Sequence, residues 1–270
     1  MSDSILDIKQ SILFDEYLNQ LKTMGVKDID KIADTALHSI KYYSGSKYTR
    51  DKLKDMQRLE NKWYASLKKG KADYSIYSDN FYISDLWACW FVYSRKYLRS
   101  LRHPKSLVNK SIIKDMRGVK TVVDLGCGIG YTTAGLQSLF PKADVIGTNI
   151  KDTFQTRFAV RTGKRYNFKI KTSLKGIKKA DVIFASEYFE HFQEPIGHLK
   201  EVLKLNPRYL IIANAFGTVS MGHFIEYIDD DGNLVDGKKI SRIFSSVLKD
   251  NGYTKVKTKL WNNRPAYWKK

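Results

Sequence analysis

The chain has 270 residues and a formal net charge of +19 at pH 7, with 43% hydrophobic and 13% aromatic residues. This length allows a full hydrophobic core, as one large domain or as a domain with an extension. No apolar run approaches the roughly 20 residues that a membrane span needs, and residues 1–9 lack the apolar core of a secretory signal. Cys89 and Cys127 are expected to be reduced thiols. We therefore expect a cytoplasmic protein that does not bind membranes.

The positive charge indicates which partners the protein attracts. Basic residues exceed acidic ones in both halves of the chain, and a positive field of this size favours polyanions such as nucleic acids. A lysine-rich surface that only confers solubility is the alternative. No Cys/His cluster has the spacing of metal ligands, so the sequence predicts no metal site.

The first part of the chain is predicted to be helical. Apolar residues recur at helical spacing three times between residues 5 and 70. The first helix is predicted to end at Gly25, the second to begin near Ile29, and the third to end near Gly70. The apolar stripes indicate core-facing surfaces, and the intervening lysines indicate solvated ones.

Residues 71–103 are rich in aromatic and basic side chains. Ser84 or Asp85 is predicted to cap a helix that continues to Leu101. Aromatic rings beside arginines suit stacking on bases and contact with phosphates. Packing on a sheet is the alternative use of the rings, above all for Trp87, Trp90 and Phe91. A further short helix is predicted over 107–116.

From residue 118 onward, strand patterns alternate with helix patterns, which indicates a parallel sheet covered on both faces. Strands are predicted at 121–125, 144–148, 167–171, 181–186 and 209–215, and helices at 132–140, 152–162, 195–205 and 239–250. Two further strand-like runs, 253–261 and 265–269, predict a terminal hairpin.

A glycine-rich segment joins the first predicted strand to the first helix. It reads Asp124-Leu125-Gly126-Cys127-Gly128-Ile129-Gly130, and its glycines would let a ligand lie against bare backbone. A dinucleotide fingerprint would need a third glycine where the chain has Tyr131, and no Gly-Lys-Ser/Thr closes a phosphate loop.

This segment resembles the first motif of the class I, Rossmann-like, S-adenosylmethionine (SAM) dependent methyltransferases. A second segment, Ser186-Glu187-Tyr188-Phe189-Glu190-His191, is similar to the Ser-Glu-x-x-Glu-His motif of many members. The resemblance implies a mostly parallel seven-stranded sheet with a C-terminal antiparallel hairpin, which the terminal hairpin pattern supports. It assigns residues 118–270 to a SAM-binding methyltransferase domain and leaves residues 1–117 as a helical, aromatic and basic extension.

The resemblance also implies where SAM binds, because ligands of such sheets lie beyond the carboxyl ends of the strands. Asn149 stands where the family usually has an acidic residue for the ribose hydroxyls, and an amide has only one acceptor oxygen. Asp152, one turn further on, is a possible substitute. The cofactor-binding candidates are Asp124, Gly126, Cys127, Gly128, Gly130, Asn149, Ile150, Thr172, Ser173 and Glu187, with Tyr82 and Arg95 from the upstream segment.

Three residues are candidates for chemistry on the acceptor. Glu190 and His191 would flank the acceptor, and a histidine near neutral pH can remove a proton. His223, in the long loop 216–237, is a second acid/base candidate. For each residue a purely structural role is the alternative. The acidic turn at 229–232 in the same loop lacks the remaining ligands of a calcium loop and predicts a hairpin.

The sequence therefore predicts a SAM-dependent methyltransferase that transfers a methyl group in line to its acceptor. The +19 charge and two acid-free basic stretches, 161–179 and 255–270, favour nucleic acid (DNA or RNA) or a nucleotide-containing molecule as acceptor. Neither the Pro-Pro loop of amino-methylating DNA enzymes nor the Pro-Cys nucleophile of cytosine C5 enzymes is present. A small-molecule methyltransferase with a helical lid, and a non-catalytic nucleic-acid-binding module of the same fold, are the alternatives.

Overall fold

A computed structural model describes residues 4–47, 49–102, 115–256 and 265–270. The three predicted N-terminal helices are confirmed as α1 Gln10–Thr23, α2 Ile29–Tyr43 and α3 Arg50–Lys68. A 3-10 turn, Tyr74–Ser78, leads into one continuous helical segment: α4 Asn80–Cys89, a π-helical turn Trp90–Ser94, and α5 Arg95–Arg102. Most of the helix predicted over 107–116, and the tip of the predicted terminal hairpin, lie outside the described residues.

The aromatic helix begins earlier than predicted. The side chain of Asp79 accepts a hydrogen bond from the backbone N–H of Phe81 at 2.9 Å, and α4 therefore starts at Asn80. Ser84 and Asp85 lie inside the helix and cap nothing. The cap thus lies five or six positions before the two residues that the sequence suggested.

The remainder of the chain alternates strands and helices, as predicted. In chain order these are β1 Thr121–Leu125, α6 Tyr131–Leu139, β2 Asp144–Thr148, α7 Phe154–Tyr166, β3 Lys169–Lys171, β4 Val182–Ser186, a 3-10 turn Phe189–His191, α8 Pro195–Leu203, β5 Tyr209–Ala213, the hairpin β6 Glu226–Ile228 and β7 Leu234–Asp236, α9 Gly237–Asp250, β8 Thr254–Val256 and β9 Ala266–Lys269.

Seven of these strands form one sheet in the order β3-β2-β1-β4-β5-β9-β8. The first five strands are parallel, and β9 runs antiparallel to both β5 and β8. This confirms the predicted class I methyltransferase fold with its C-terminal antiparallel hairpin. The acidic turn at 229–232 lies between the paired strands β6 and β7, so its prediction as a hairpin turn is also confirmed.

The sheet separates two hydrophobic cores, because alternate strand residues point to opposite faces. Val122 belongs to the first core and Val123 to the second. The N-terminal helices contribute to both. The first core includes Leu13, Ile32 and Trp87 beside Leu136 and Phe158 of α6 and α7, and the second includes Trp63, Tyr77 and Phe81 beside Leu199 and Phe244 of α8 and α9.

The tryptophans of the aromatic segment pack in the core. Trp87 is fully buried and Trp90 is 4% exposed, and the ring of Trp87 stacks on Phe91 with centroids 5.5 Å apart. The structure thus favours the packing alternative for these rings. Cys89 and Cys127 are free thiols. Over the described residues, no helix has both the length and the apolar character that a membrane span requires.

Candidate active site

A cavity of about 1220 Å³ lies at the carboxyl ends of the parallel strands. The loops after β1 to β5 form one side of it, and residues of α2, α3, α4 and the 3-10 turn before α4 form the other. Its volume exceeds the roughly 300–1,000 Å³ of a typical single-ligand pocket, so it accommodates a methyl donor together with part of an acceptor. Of the predicted site residues, it is lined by Tyr82, Asp124, Gly126, Cys127, Gly128, Asn149, Ile150, Thr172, Ser173, Glu187, His191 and His223.

The glycine loop forms part of the wall of the cavity, where its backbone packs closely against neighbouring side chains. Gly126 has φ +65°, and a Cβ at this position would lie 2.4 Å from Cδ2 of Tyr188. A side chain there would be strained by its backbone and would also displace the tyrosine ring. Gly130 differs, because it does not line the cavity and a Cβ on it would lie 3.3 Å from Cα of Ala159 in α7. Its role is close packing of the loop against that helix.

Asp124 ends the first strand as a buried carboxyl group. It is 2% exposed, and its Oδ2 accepts a hydrogen bond from the hydroxyl of Thr133 in α6 at 2.6 Å. Burial raises the pKa of Asp124 to about 7, although the hydrogen bond from Thr133 acts in the opposite direction. The residue therefore braces the loop against the first helix and also presents an acidic group to the cavity.

Asn149 also braces the glycine loop. Its Nδ2 donates to the carbonyl of Gly128 at 2.6 Å, and its Oδ1 accepts from the backbone N–H of Ile150 at 3.0 Å. The single acceptor oxygen of the amide is thus already engaged within the protein. Asp152, the possible substitute, does not line the cavity, and its side chain is 84% exposed.

The cavity is open to solvent beside Ile150 and Thr172. Ile150 is 44% exposed, so its apolar side chain is accessible to a ligand in the cavity. Thr172 and Ser173, on the loop after β3, are exposed at the same cavity. These residues form what we name the mouth of the cavity, and their apolar and hydroxyl groups suit the edge of a purine base.

Arg95 lies away from the cavity, so its prediction as a cofactor-binding residue is not supported by its position. Its side chain is buried, and its guanidinium donates to the backbone carbonyls of Leu6 and Ile8. Burial and the neighbouring Arg99 lower the pKa of Arg95. At about 100° per residue, Arg95 lies roughly 140° around the axis of the helical segment from Tyr82, so it is not on the face that lines the cavity.

Two acidic residues of the second motif lie side by side after β4. Glu187 has φ +50°, a left-handed conformation that is rare outside glycine, and its N–H donates to the carbonyl of Ala213 at 2.8 Å. Glu190 is fully buried, and its Oε1 accepts from the N–H of Ala215 at 3.0 Å. Burial and the charge of Glu187 raise the pKa of Glu190 well above its usual range.

The structure brings the two predicted histidines, His191 and His223, into contact. They come from distant parts of the chain, since His191 is 31 positions from Gly222, which directly precedes His223. Their ring centroids are 4.8 Å apart with an edge-to-face orientation. Burial, with the charge of His223 as a smaller cause, lowers the pKa of His191 to about 3, and burial lowers that of His223 to about 4. Both rings are therefore neutral at pH 7, which makes each a weak proton acceptor in the protein without ligands.

Several cavity residues could not be singled out from the sequence. Tyr77 is one of many aromatic residues in its segment, yet its hydroxyl lies 3.0 Å from Nδ1 of His191. Tyr188, the variable position of the second motif, covers Gly126 and hydrogen-bonds Nε2 of His198 at 2.8 Å. For Tyr77, the only signal in the sequence was the density of tyrosines between residues 71 and 103. The other unanticipated lining residues include Tyr42, Tyr43, Tyr74, Leu86, Tyr93 and Gln155.

Comparison with known proteins agrees with this geometry. Residues 123–206 match a family model described as a methyltransferase domain. This match, the order and direction of the seven strands, and the glycine loop at the cavity define the class of protein. Residues 123–206 thus belong to a methyltransferase domain within a sheet of the class I fold, for which SAM is the methyl donor. No curated protein sequence matches the chain.

Solved structures similar to the chain have low sequence identity to it. They include the plantazolicin methyltransferase BpumL in complex with a monoazolic analogue and S-adenosylhomocysteine (SAH), with 15% identity, TM-score 0.48, and 77% of this chain aligned with 83% of that one. The small RNA methyltransferase HEN1 has 16% identity and TM-score 0.43, over 60% of this chain and 24% of that one. The SAH-bound N-terminal domain of EvdMO1 has 15% identity and TM-score 0.35, over 40% of this chain and 49% of that one. The chain thus spans about half the length of that last structure.

The residues of the cavity fit SAM. Gly126 and Gly128 line the cavity where the methionine part would lie, and Asp124 and Glu187 provide acidic groups for its ammonium. Ile150 offers an apolar contact to a base at the mouth. When bound, SAM supplies a methyl group that its sulfonium already activates. The protein's own task is to align donor and acceptor and to exclude water.

Proposed function

We propose that the chain methylates a nucleic acid or a nucleotide-containing molecule, with SAM as donor. The observation that carries this proposal is the tyrosine-rich acceptor side of the cavity in a protein of net charge +19. Tyr42 and Tyr74, 39% and 47% exposed, lie at this side. Exposed aromatic faces beside a cavity suit the stacking of nucleobases, and the positive charge suits phosphates.

Basic residues at the mouth support the same acceptor. Lys171 and Lys175 flank the cavity-lining residues Thr172 and Ser173, and Lys175 is exposed. A polyanion that approaches the mouth would meet these ammonium groups before it reaches the donor. Contacts of this kind weaken as salt rises, because bound counterions are released when a phosphate is neutralised.

The reaction requires few catalytic side chains. In-line displacement at the methyl carbon places the acceptor on the side opposite the sulfur, which is the side formed by the N-terminal helices and the loop after β5. His191 and Tyr77 lie on this side, where their hydrogen-bonded groups position the acceptor. We propose that Glu190 and His191 act mainly in positioning, because burial disfavours the charged form of both side chains.

Transfer of label from methyl-tritiated SAM tests the proposal. The acceptors are duplex DNA, single-stranded DNA, RNA and a small-molecule extract, each incubated with the full chain at low and high salt. Label on a nucleic acid, with a rate that falls steeply as salt rises, is the expected result. Absence of both label and SAM binding would overturn the proposal.

Matched variants locate the acceptor surface. The double variant Lys171→Gln/Lys175→Gln should raise KM for the nucleic acid several-fold. The slope of log affinity against log salt concentration should become shallower by about one for each phosphate that is no longer neutralised. Lys238→Gln with Lys249→Gln removes the same charge from α9, no residue of which lines the cavity. If the two double variants change KM and its salt dependence equally, the net charge of the protein attracts the acceptor and the lysines at the mouth have no special role.

A small-molecule acceptor is the second candidate. The observation in its favour is that the N-terminal helices cover the cavity as a lid would, through Tyr43, Tyr77 and Tyr82. Label that appears only in the small-molecule extract, without salt dependence, would favour this candidate over the first.

A further inference from the structure

We infer that Glu187, Glu190 and His223 form a binding site for a divalent metal ion at the acceptor side of the cavity. One carboxylate oxygen from each glutamate and one ring nitrogen of the histidine all lie within 4.8 Å of one another. Separations of this size allow a single cation to contact all three atoms after small side-chain adjustments, because metal–ligand distances are about 2.0–2.4 Å. The sequence predicted no metal site, because these residues lack the Cys/His spacing of common metal centres.

The buried carboxylate of Glu190 provides an independent observation. The residue is fully buried, and while Oε1 accepts from the N–H of Ala215, Oε2 has no hydrogen-bond partner among the described residues. A buried polar atom without a partner is costly, and a negatively charged one costs more. A cation at the centre of the cluster satisfies Oε2 and compensates its charge.

A hydrogen bond to the backbone of Thr218 determines which ring nitrogen of His223 is available to a metal. Nδ1 lies 3.1 Å from the carbonyl oxygen of Thr218. Since a carbonyl only accepts, this hydrogen bond requires the proton on Nδ1 and leaves the lone pair on Nε2. Metal-binding histidines are oriented in this way, with one nitrogen donating to a carbonyl and the other free to coordinate.

Two hydrogen bonds hold the backbone around the cluster, and together they connect three parts of the chain. The N–H of Phe224 donates to the carbonyl of Glu190 at 3.0 Å, which joins the two segments that carry the ligands. The indole N–H of Trp63 in α3 donates to the carbonyl of His223 at 2.7 Å. These bonds hold the backbone of two of the three ligand residues, as a preorganised metal site requires.

The ligand set indicates which cations fit. Two carboxylates and one imidazole suit Mn²⁺, and also Mg²⁺ or Zn²⁺, better than soft metals. Glu187 and His223 line the cavity, so the open coordination positions face the acceptor. A hard cation there favours an acceptor hydroxyl, whose oxygen it can bind and whose pKa it lowers. This last step rests on the proposed function, whereas cation binding does not.

Electron paramagnetic resonance of Mn²⁺ tests the site directly, because the signal of free Mn²⁺ diminishes on binding. The full chain, freed of metal with a chelator that is then removed, is titrated with Mn²⁺. We expect one ion per chain, with competition by Mg²⁺ or Zn²⁺. Glu190→Gln and His223→Gln should each weaken binding at least about tenfold. Glu226→Gln, which removes an exposed carboxylate on β6, should leave it unchanged.

A folding measurement separates this proposal from a purely structural role. Without metal, Glu190→Gln should be about as stable as the wild type, since the amide has nearly the shape of the carboxyl group and its oxygen can keep the bond from Ala215. Mn²⁺ should raise Tm of the wild type and of neither ligand variant. A glutamate pair that only shares a proton would give no Mn²⁺ binding at millimolar concentration, and this would overturn the proposal.

SAM binding in the same samples keeps the two proposals distinct. If SAM binds and Mn²⁺ does not, only the metal site is overturned and the proposed function stands. If Mn²⁺ binds and SAM does not, the proposed function fails and the metal site stands.

Discussion

The hydroxyl of Tyr77 lies 3.0 Å from Nδ1 of His191, which joins the N-terminal extension to the second methyltransferase motif. The same Nδ1 lies 2.9 Å from the carbonyl oxygen of Gly222. A carbonyl cannot donate, so the contact with Gly222 places the proton on Nδ1, with the tyrosine oxygen as a second acceptor. Burial raises the pKa of Tyr77, which keeps its hydroxyl neutral. The extension thus helps to orient a residue that faces the acceptor.

Tyr77→Phe should remove one of these two contacts and leave the ring in place. We expect the free energy of unfolding to fall by about 1 kcal/mol and the ¹⁵N resonance of His191 Nδ1 to shift. Tyr74→Phe is the matched control, because Tyr74 is a neighbouring tyrosine that is 47% exposed. An unchanged His191 resonance in Tyr77→Phe would show that the contact does not orient the ring.

Gly126→Ala should disrupt the cofactor side of the cavity. The new Cβ would meet Tyr188 at 2.4 Å in a backbone of φ +65°, so we expect a loss of about 1–3 kcal/mol in unfolding free energy and at least tenfold weaker SAM binding. Gly197→Ala in α8 is the control. A Cβ there meets nothing within 4 Å, and alanine should stabilise that helix by up to about 1 kcal/mol. Calorimetric titration with SAM is the measurement, and wild-type affinity in Gly126→Ala would contradict the assigned loop.

Asp124 should make the stability of the protein fall as pH rises. Burial raises its folded-state pKa to about 7, above the ordinary value of 3.8, so its stabilising contribution is complete below that ordinary value and is lost as pH rises towards 7. Compared with Asp124→Asn, the wild type should lose about 2–3 kcal/mol more between about pH 5 and about pH 8. Urea unfolding at several pH values measures this.

The control for this titration is Asp152→Asn, whose side chain is 84% exposed. Its pH profile should follow that of the wild type. If Asp124→Asn also follows the wild type, the carboxyl group of Asp124 does not titrate in this range.

Glu16 should contribute to the attachment of α1 to the methyltransferase domain. Its Oε2 accepts from the hydroxyl of Tyr166 at 2.7 Å and lies 3.0 Å from Nε of Arg165. Glu16 is 9% exposed, but the arginine side chain is 60% exposed, so solvent screens the ion pair. We expect Glu16→Gln to lower the unfolding free energy by about 1–2 kcal/mol, measured in urea. Asp15→Asn, a carboxylate of the same helix that is not buried, should change it little.

The parts of this fold that were predictable are those that depend on neighbours in sequence. The apolar run 121–125 and the glycines after it indicate a buried strand and a bare loop, whatever lies elsewhere in the chain. The same holds for the second motif, because its residues follow the buried strand β4 directly. Arg95 was selected for its residue type beside the aromatic side chains, although regular helical spacing already places it on a different face from Tyr82.

The acceptor side of the site could not be predicted, because it is made by residues far apart in the chain. His223 meets Glu190 only because the loop after β5 folds back and pairs Phe224 with that residue. Asn149 stands at the expected position, but sequence alone does not show that its amide is engaged by Gly128. Side-chain chemistry identified the candidates, and only three-dimensional contacts determine how each is used.

The two-sided packing of the N-terminal helices has a consequence for how the chain folds. Leu13 and Trp63 belong to helices that precede the sheet, yet they complete opposite hydrophobic cores of it. Residues 118–270 alone would expose apolar surface on both faces, which favours aggregation. The helices and the sheet should therefore form a single cooperative unit that melts in one calorimetric transition, with equal van't Hoff and calorimetric enthalpies.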